Sequence, residues 1–144
     1  MLNFTHSGPL DARALGPSRI AFSVPFVNAH IHPLVAGPIF AAHPLDLQSF
    51  HVPAKGESND PFSHIAHVGP PSVNLEVKLA NVDDAAIEGG ANPTGDVLVR
   101  GPSVTLPLGG DVKPHNWLKI GDRASVQTNG TFKVLSSALD AEKS

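Results

Sequence analysis

Seven prolines fall between positions 30 and 71, at 33, 38, 44, 53, 61, 70 and 71. Each removes a backbone donor and fixes φ, so this stretch can hold neither a long helix nor an unbroken strand ladder. The chain must therefore divide into an irregular Pro-rich first half and a more regular second half. At 144 residues it has the length of one domain, which buries roughly 68–70% of its unfolded surface without staples. It has no cysteine, which excludes disulfides and thiolate metal sites. Hydrophobic residues make up 41%, which predicts a modest core and a burying partner.

Regular elements are readable around this stretch. Residues 11–15 read as a short helix among turn residues. Residues 19–27, rich in β-branched and aromatic side chains, read as a strand interrupted or at a sheet edge because of Pro25. Residues 55–61 read as a polar loop. Further on, Val73, Leu75, Val77 and Leu79 alternate with polar residues, the pattern of a strand with one buried face. Residues 83–94 form a polar link, 96–100 a strand, and 117–120 a short strand. Asn129-Gly130 separates strands at 124–128 and 131–135, the strongest two-residue hairpin signal. Residues 137–143 read as a terminal helical turn. The expected fold is mainly β, a small distorted antiparallel barrel or sheet with few short helices, divided at 67/68.

The motifs in the second half carry a specific resemblance. Gly95-Asp-Val-Leu-Val-Arg-Gly-Pro102 resembles the Gly-Glu-(Ile/Leu)-x-(Val/Ile)-(Arg/Lys)-Gly strand of adenylate-forming acyl-CoA synthetases. Trp117-Leu-Lys-Ile-Gly-Asp122 resembles their Trp-(Phe/Tyr)-x-Thr-Gly-Asp motif, and Asn129-Gly-Thr-Phe-Lys-Val-Leu135 the segment before their hinge. Upstream, His67-Val-Gly-Pro-Pro71 resembles the Ser-Val-Gly-x-Pro that opens their β-barrel subdomain. Four elements in order cover residues 68–135, with looser likeness at 7–11 and 24–29. The resemblance implies that residues 1–67 match the end of the large N-terminal subdomain and 68–144 the β-barrel subdomain.

That family joins an acid to ATP as an acyl adenylate, which a thiol then resolves. The chemistry needs fixed cations where pyrophosphate leaves and a magnesium ligand. This sequence departs from the family at those parts. Where Tyr-Gly-x-Thr-Glu should follow Asn28-Ala29, it has His30-Ile-His-Pro-Leu34, without the phosphate-binding Thr or magnesium-binding Glu. The Thr of Thr-Gly-Asp is Ile120, and the hinge Asp-Arg is Ser136-Ser137. The phosphate loop and the lysine-bearing C-terminal subdomain would lie beyond the two ends. The resemblance thus implies a partial or degenerate ligase that does not catalyse alone, with no catalytic residue and no cofactor expected, ATP or AMP binding being at most weak. One part of an enzyme completed by other polypeptides is the alternative.

The resemblance places Asp122, Asn28 and His30 at the nucleotide. Asp122 is the family's ribose-binding carboxylate, whose two oxygens suit two hydroxyls; Gly121-Asp122 also reads simply as a turn. The pairs His30/His32 and His64/His67 have spacings that could bind zinc, a second alternative. A site needs more ligands than either pair supplies, so no metal residue is assigned. Trp117 reads as a buried anchor, and Asp83, Asp84 and Glu88 as a solvated link.

The net charge of −3 gives no basic footprint for nucleic acid, and no apolar run approaches the ~20 residues of a membrane span. With no leader-like N-terminus and no peroxisomal ending, the expected location is intracellular and cytoplasmic. A homo-oligomer or another protein is expected to cover an apolar face built from Phe22, Phe26, Val27, Leu34, Val35, Ile39 and Phe40.

Overall fold

The computed structural model describes residues 2–6, 9–46, 48, 60–105 and 116–138. They are mainly β, in two sheets. The first sheet has the order β1-β2-β3, with β1 (Leu2–His6) parallel to β2 (Phe26–Ile31) and β2 antiparallel to β3 (Pro38–Ala41). A 3-10 turn (Ala12–Ala14) and helix α1 (Leu15–Phe22) form the crossover that a parallel pair requires.

The region expected as a strand over 19–27 is therefore divided between α1 and β2. Pro17 lies in the first turn of α1, where its missing N–H has no intrahelical partner to lose. Ser23 ends the helix in the left-handed conformation at φ 51°, its N–H bonding the Ile20 carbonyl. The strand starts just after Pro25, so the proline interrupts no ladder.

The second sheet is antiparallel, in the order β4-β5-β6-β7: Glu76–Ala80, Thr94–Arg100, Leu118–Val126 and Phe132–Ser136. It does not close into a barrel. The outer edge of β7 is taken by residues 68–69 instead of by β4: Val68 N–H donates to the Phe132 carbonyl at 2.8 Å, and Phe132 N–H to the Gly69 carbonyl at 3.0 Å. The next residues bond the first sheet, Ala41 N–H to the Pro70 carbonyl and Ser72 N–H to the Ile39 carbonyl. A strip at 68–72 thus ties β3 to β7, and Pro70, which offers no N–H, serves there as an acceptor.

One hydrophobic cluster joins both sheets. It contains Val35, Ile39 and Phe40 with Val68, Leu75, Val97, Val99, Ile120, Ala124, Phe132 and Val134. Phe40 is fully buried and stacks on Phe132, with ring centroids 4.6 Å apart. Five of the seven residues expected on a partner-binding face are therefore inside the chain: Phe26, Val27, Val35, Ile39 and Phe40. Phe22 is 62% exposed, beside Ile20 at 76% and, on the turn after β3, Leu45 at 79%.

Three local findings refine the expected elements. The expected segments 117–120 and 124–128 fall on a single strand, β6, which runs only from Leu118 to Val126; Gly121 takes φ 86° within it and the ladder continues past it. The link at 83–94 contains a short helix α2 (Asp84–Glu88), capped by the Asp83 carboxylate on the Ala85 and Ala86 amides. The β6–β7 hairpin is longer than two residues. Gly130 N–H bonds the Gln127 carbonyl and Gln127 N–H bonds the Thr131 carbonyl, so Thr128 and Asn129 are the turn's centre and Gly130, at φ 79°, is the bulge position. The Asn129 carboxamide oxygen accepts from the Thr131 N–H, which fixes the turn. The expected loop at 55–61 is described only from residue 60, and the expected turn at 137–143 only to residue 138.

Candidate functional site

Along β2, residues 26–30 are all buried, because this strand lies between β1 and β3. Asn28 and His30, two residues apart, share a face. Along β6, Ile120, Asp122 and Ala124 alternate inward and exposed residues alternate outward. The two strands come from different sheets, and their meeting point is polar: His30 Nε2 lies 2.7 Å from Asp122 Oδ2, with the side chains 0% and 1% exposed.

Both oxygens of the Asp122 carboxylate are engaged. Oδ2 takes His30, while Oδ1 accepts from the Ser137 hydroxyl at 2.9 Å and the Ala138 amide at 3.0 Å. Burial pushes its pKa up, but the His30 bond and charge, the Ala138 amide and the Ser137 hydroxyl together outweigh burial and hold it below the usual carboxylate value. The His30 ring stacks on Phe40, centroids 6.2 Å apart, and its Nδ1 has no partner among the described residues. The polar bridge therefore continues a stack that runs His30–Phe40–Phe132.

Around it lie other buried and half-buried polar groups. His32 Nδ1 accepts from the Leu34 N–H at 3.2 Å, and burial pushes its pKa down against the opposing pull of Asp122. The Asn28 carboxamide donates to the His67 carbonyl at 2.7 Å, as does that of Gln48 at 2.8 Å. His67 Nε2 lies 3.2 Å from Asp46 Oδ2; burial lowers its pKa, Asp46 opposes this, and Lys133 reinforces it.

Of the three residues placed by resemblance at a nucleotide, the structure brings His30 and Asp122 into contact, while Asn28 is held by the His67 carbonyl. The two histidine pairs do not join: among the described residues no group of three His, Asp or Glu converges. Trp117 is not in the core. It lies half-buried with the Lys78 ammonium and the Arg100 guanidinium 4.4 and 4.6 Å from its ring centre. Ser137 and Phe40 complete the bridge, and neither was singled out for it from sequence. Ser137 lies where the resemblance expects the hinge Asp-Arg, and no motif marks it in this sequence.

Two short sheets sharing one core are also the fold of one part of several solved coenzyme A ligases and related synthetases. The O-succinylbenzoate coenzyme A synthetase MenE of Bacillus subtilis, in complex with AMP, matches 97% of the chain with a TM-score of 0.62 at 18% identity, over 27% of that enzyme's chain. The amide bond synthetase McbA of Marinactinospora thermotolerans matches 94% at a TM-score of 0.63 and 19% identity, over 26% of its chain. The anthranilate CoA ligase AuaEII, in complex with anthranoyl-AMP, matches 94% at 0.60 and 21%, over 24%. The Bacillus enzyme is also known in complex with ATP and magnesium ion. The chain thus spans 24% to 27% of the length of these ligases, and at such identities the likeness is one of fold. No protein-family model and no curated protein matches the chain in sequence. Among the described residues no helix is long and apolar enough to cross a membrane.

Proposed function

We propose that this chain is a partial or degenerate relative of an AMP-forming acyl-CoA ligase that does not catalyse by itself and serves as a binding or assembly module. Residues 1–67 stand for the end of the large subdomain and 68–144 for the small β subdomain. The observation that carries this reading is the closed state of Asp122. An ionised carboxylate offers about four acceptor positions, and here both oxygens are engaged by His30, Ser137 and Ala138 in a site 1% exposed. A ribose diol would have to displace these donors, so the arrangement does not fit a nucleotide at Asp122. The sequence supports the same reading, with Pro33 and Leu34 at the phosphate-binding and magnesium-binding positions.

A second reading, one part of an active enzyme completed by other polypeptides, has its own support. Two of the three donors on Asp122 come from residues 137 and 138, at the end of β7 next to the hinge position. A partner that drew this segment away would free Oδ1. Acid-dependent pyrophosphate exchange into ATP separates the readings. The chain alone should give none. Mixed with a ligase lacking the matching region, it should still give none if it is a non-catalytic module; exchange in the mixture would establish the second reading, and exchange by the chain alone would overturn both. As a partner for such a module we propose another copy or another protein, covering Ile20, Phe22 and Leu45.

A further inference from the structure

A cavity of about 340 Å³ lies on the second sheet, away from the His30–Asp122 bridge. Its walls come from the turn at 60–62, from α2 and the glycine turn after it, and from the facing ends of β5 and β6. The size is at the lower end of ligand pockets, roughly 300–1,000 Å³. Phe62 and Ala86 supply apolar wall, and Asp60, Asp83, Asn92 and Ser125 supply polar groups.

The polar set is weighted to acceptors. Asp60 Oδ2 receives Lys133 at 3.2 Å, so its charge is already balanced in part. Asp83 is different: Oδ1 caps the Ala85 and Ala86 amides, and no described Lys, Arg or His lines the cavity to balance it. Asn92 gives its Nδ2 to Gln127 Oε1, which leaves its carboxamide oxygen as the group to meet a ligand. Ser125 is 1% exposed, yet it lines the cavity. An anion would meet two carboxylates, with Lys133 already engaged by one of them and no cation among the described lining residues, whereas a donor-rich cation with a short apolar body would meet acceptors and an aromatic wall.

We propose that this cavity binds a small organic cation, an ammonium or guanidinium on a short aromatic or aliphatic body, with Asp83 as its counter-charge and Phe62 against its apolar part. The inference is independent of the ligase reading. The probe is phenethylammonium, followed by amide NMR shifts at Phe62, Asn92 and Ser125, with phenylethanol and phenylpropionate as neutral and anionic counterparts. The cation should give saturable shifts at these three residues with a millimolar dissociation constant. Asp83→Asn keeps the α2 cap, since Asn caps as well as Asp, and should weaken binding about tenfold, the loss of one charge-assisted hydrogen bond. Asp84→Asn removes the same charge from the next residue, which does not line the cavity, and should leave binding unchanged. Absence of saturable shifts, equal binding of the alcohol or the acid, or equal effects of the two variants would overturn the proposal.

Discussion

Replacing Asp122 with Ala tests what holds the two sheets together. The substitution removes the acceptor of three donors in a site 1% exposed: His30 Nε2–H, the Ser137 hydroxyl and the Ala138 amide. Hydrogen bonds to a charged group contribute about 1.5–3 kcal/mol each, and a buried donor left unmet costs about 1–3 kcal/mol. The terms are not additive, because removing the carboxylate also removes its burial penalty. Breaking a buried pair from one side costs about 3–5 kcal/mol, and that is the expected loss here. Asp122→Asn keeps one oxygen for Ser137 and Ala138 but turns an amide toward His30, so it should lose less, about 1–3 kcal/mol. His30→Phe preserves the stack on Phe40 and closes a double-mutant cycle, whose coupling with Asp122→Ala should exceed about 1 kcal/mol. The assay is urea unfolding at neutral pH, read by the fluorescence of the single tryptophan, Trp117. An Asp122→Ala protein within about 0.5 kcal/mol of the parent, with unchanged urea slope and no coupling, would refute the bridge as a source of stability.

Gly130→Val meets no atom within 4 Å, so its cost comes from the backbone alone; at φ 79° it should lose about 1–2 kcal/mol, and an unchanged melting temperature would contradict the hairpin geometry. Acid should destabilise the fold in two windows. His32 and His67 are held below 6.5, chiefly by burial, so the unfolded chain binds more protons and stability falls as pH drops from about 6.5; Asp122, held below 3.8, adds a loss as pH falls below about 3.8. Denaturation across a pH series should show both windows, and His32→Gln with His67→Gln should flatten the upper one. In sedimentation across a concentration series, exposed Ile20 and Phe22 should drive association, and a 15.0 kDa monomer at every concentration without dye-binding surface would contradict a partner face.

The second sheet was the legible part of the fold. Its strands carry period-two alternation, and β5 shows it most cleanly: Gly95, Val97 and Val99 face inward with Thr94, Asp96, Leu98 and Arg100 between them. Gly121 hid the length of β6, because a glycine in a run of short segments reads as a terminator. Read as one strand, 118–126 would have put Ile120, Asp122 and Ala124 on the same inward face. In the first half, Arg19-Ile-Ala-Phe22 has the composition of a strand, but its place in a crossover between parallel strands makes it helical. Asp122 and His30 were both named from sequence, each against a family motif. Their contact was not legible, since 92 residues separate them and no local period links β2 to β6. The apolar residues of β2 and β3 were recognised as a packing face; what covers Ile39 and Phe40 is the second sheet, a tertiary fact with no local signal.

The strip at 68–72 also bears on how the molecule stays out of aggregates. Strand edges with unmet N–H and C=O groups are templates for pairing with other chains. The strip covers two such edges at once, that of β3 through Pro70 and Ser72 and that of β7 through Val68 and Gly69. At the far side of the second sheet, β4 shows outward Glu76 and Lys78, charges of the kind that discourage edge-to-edge pairing. Five residues thus guard two borders, and a proteolytic cut or a substitution that lifts them would open both together. The first symptom of damage there should be self-association rather than simple unfolding.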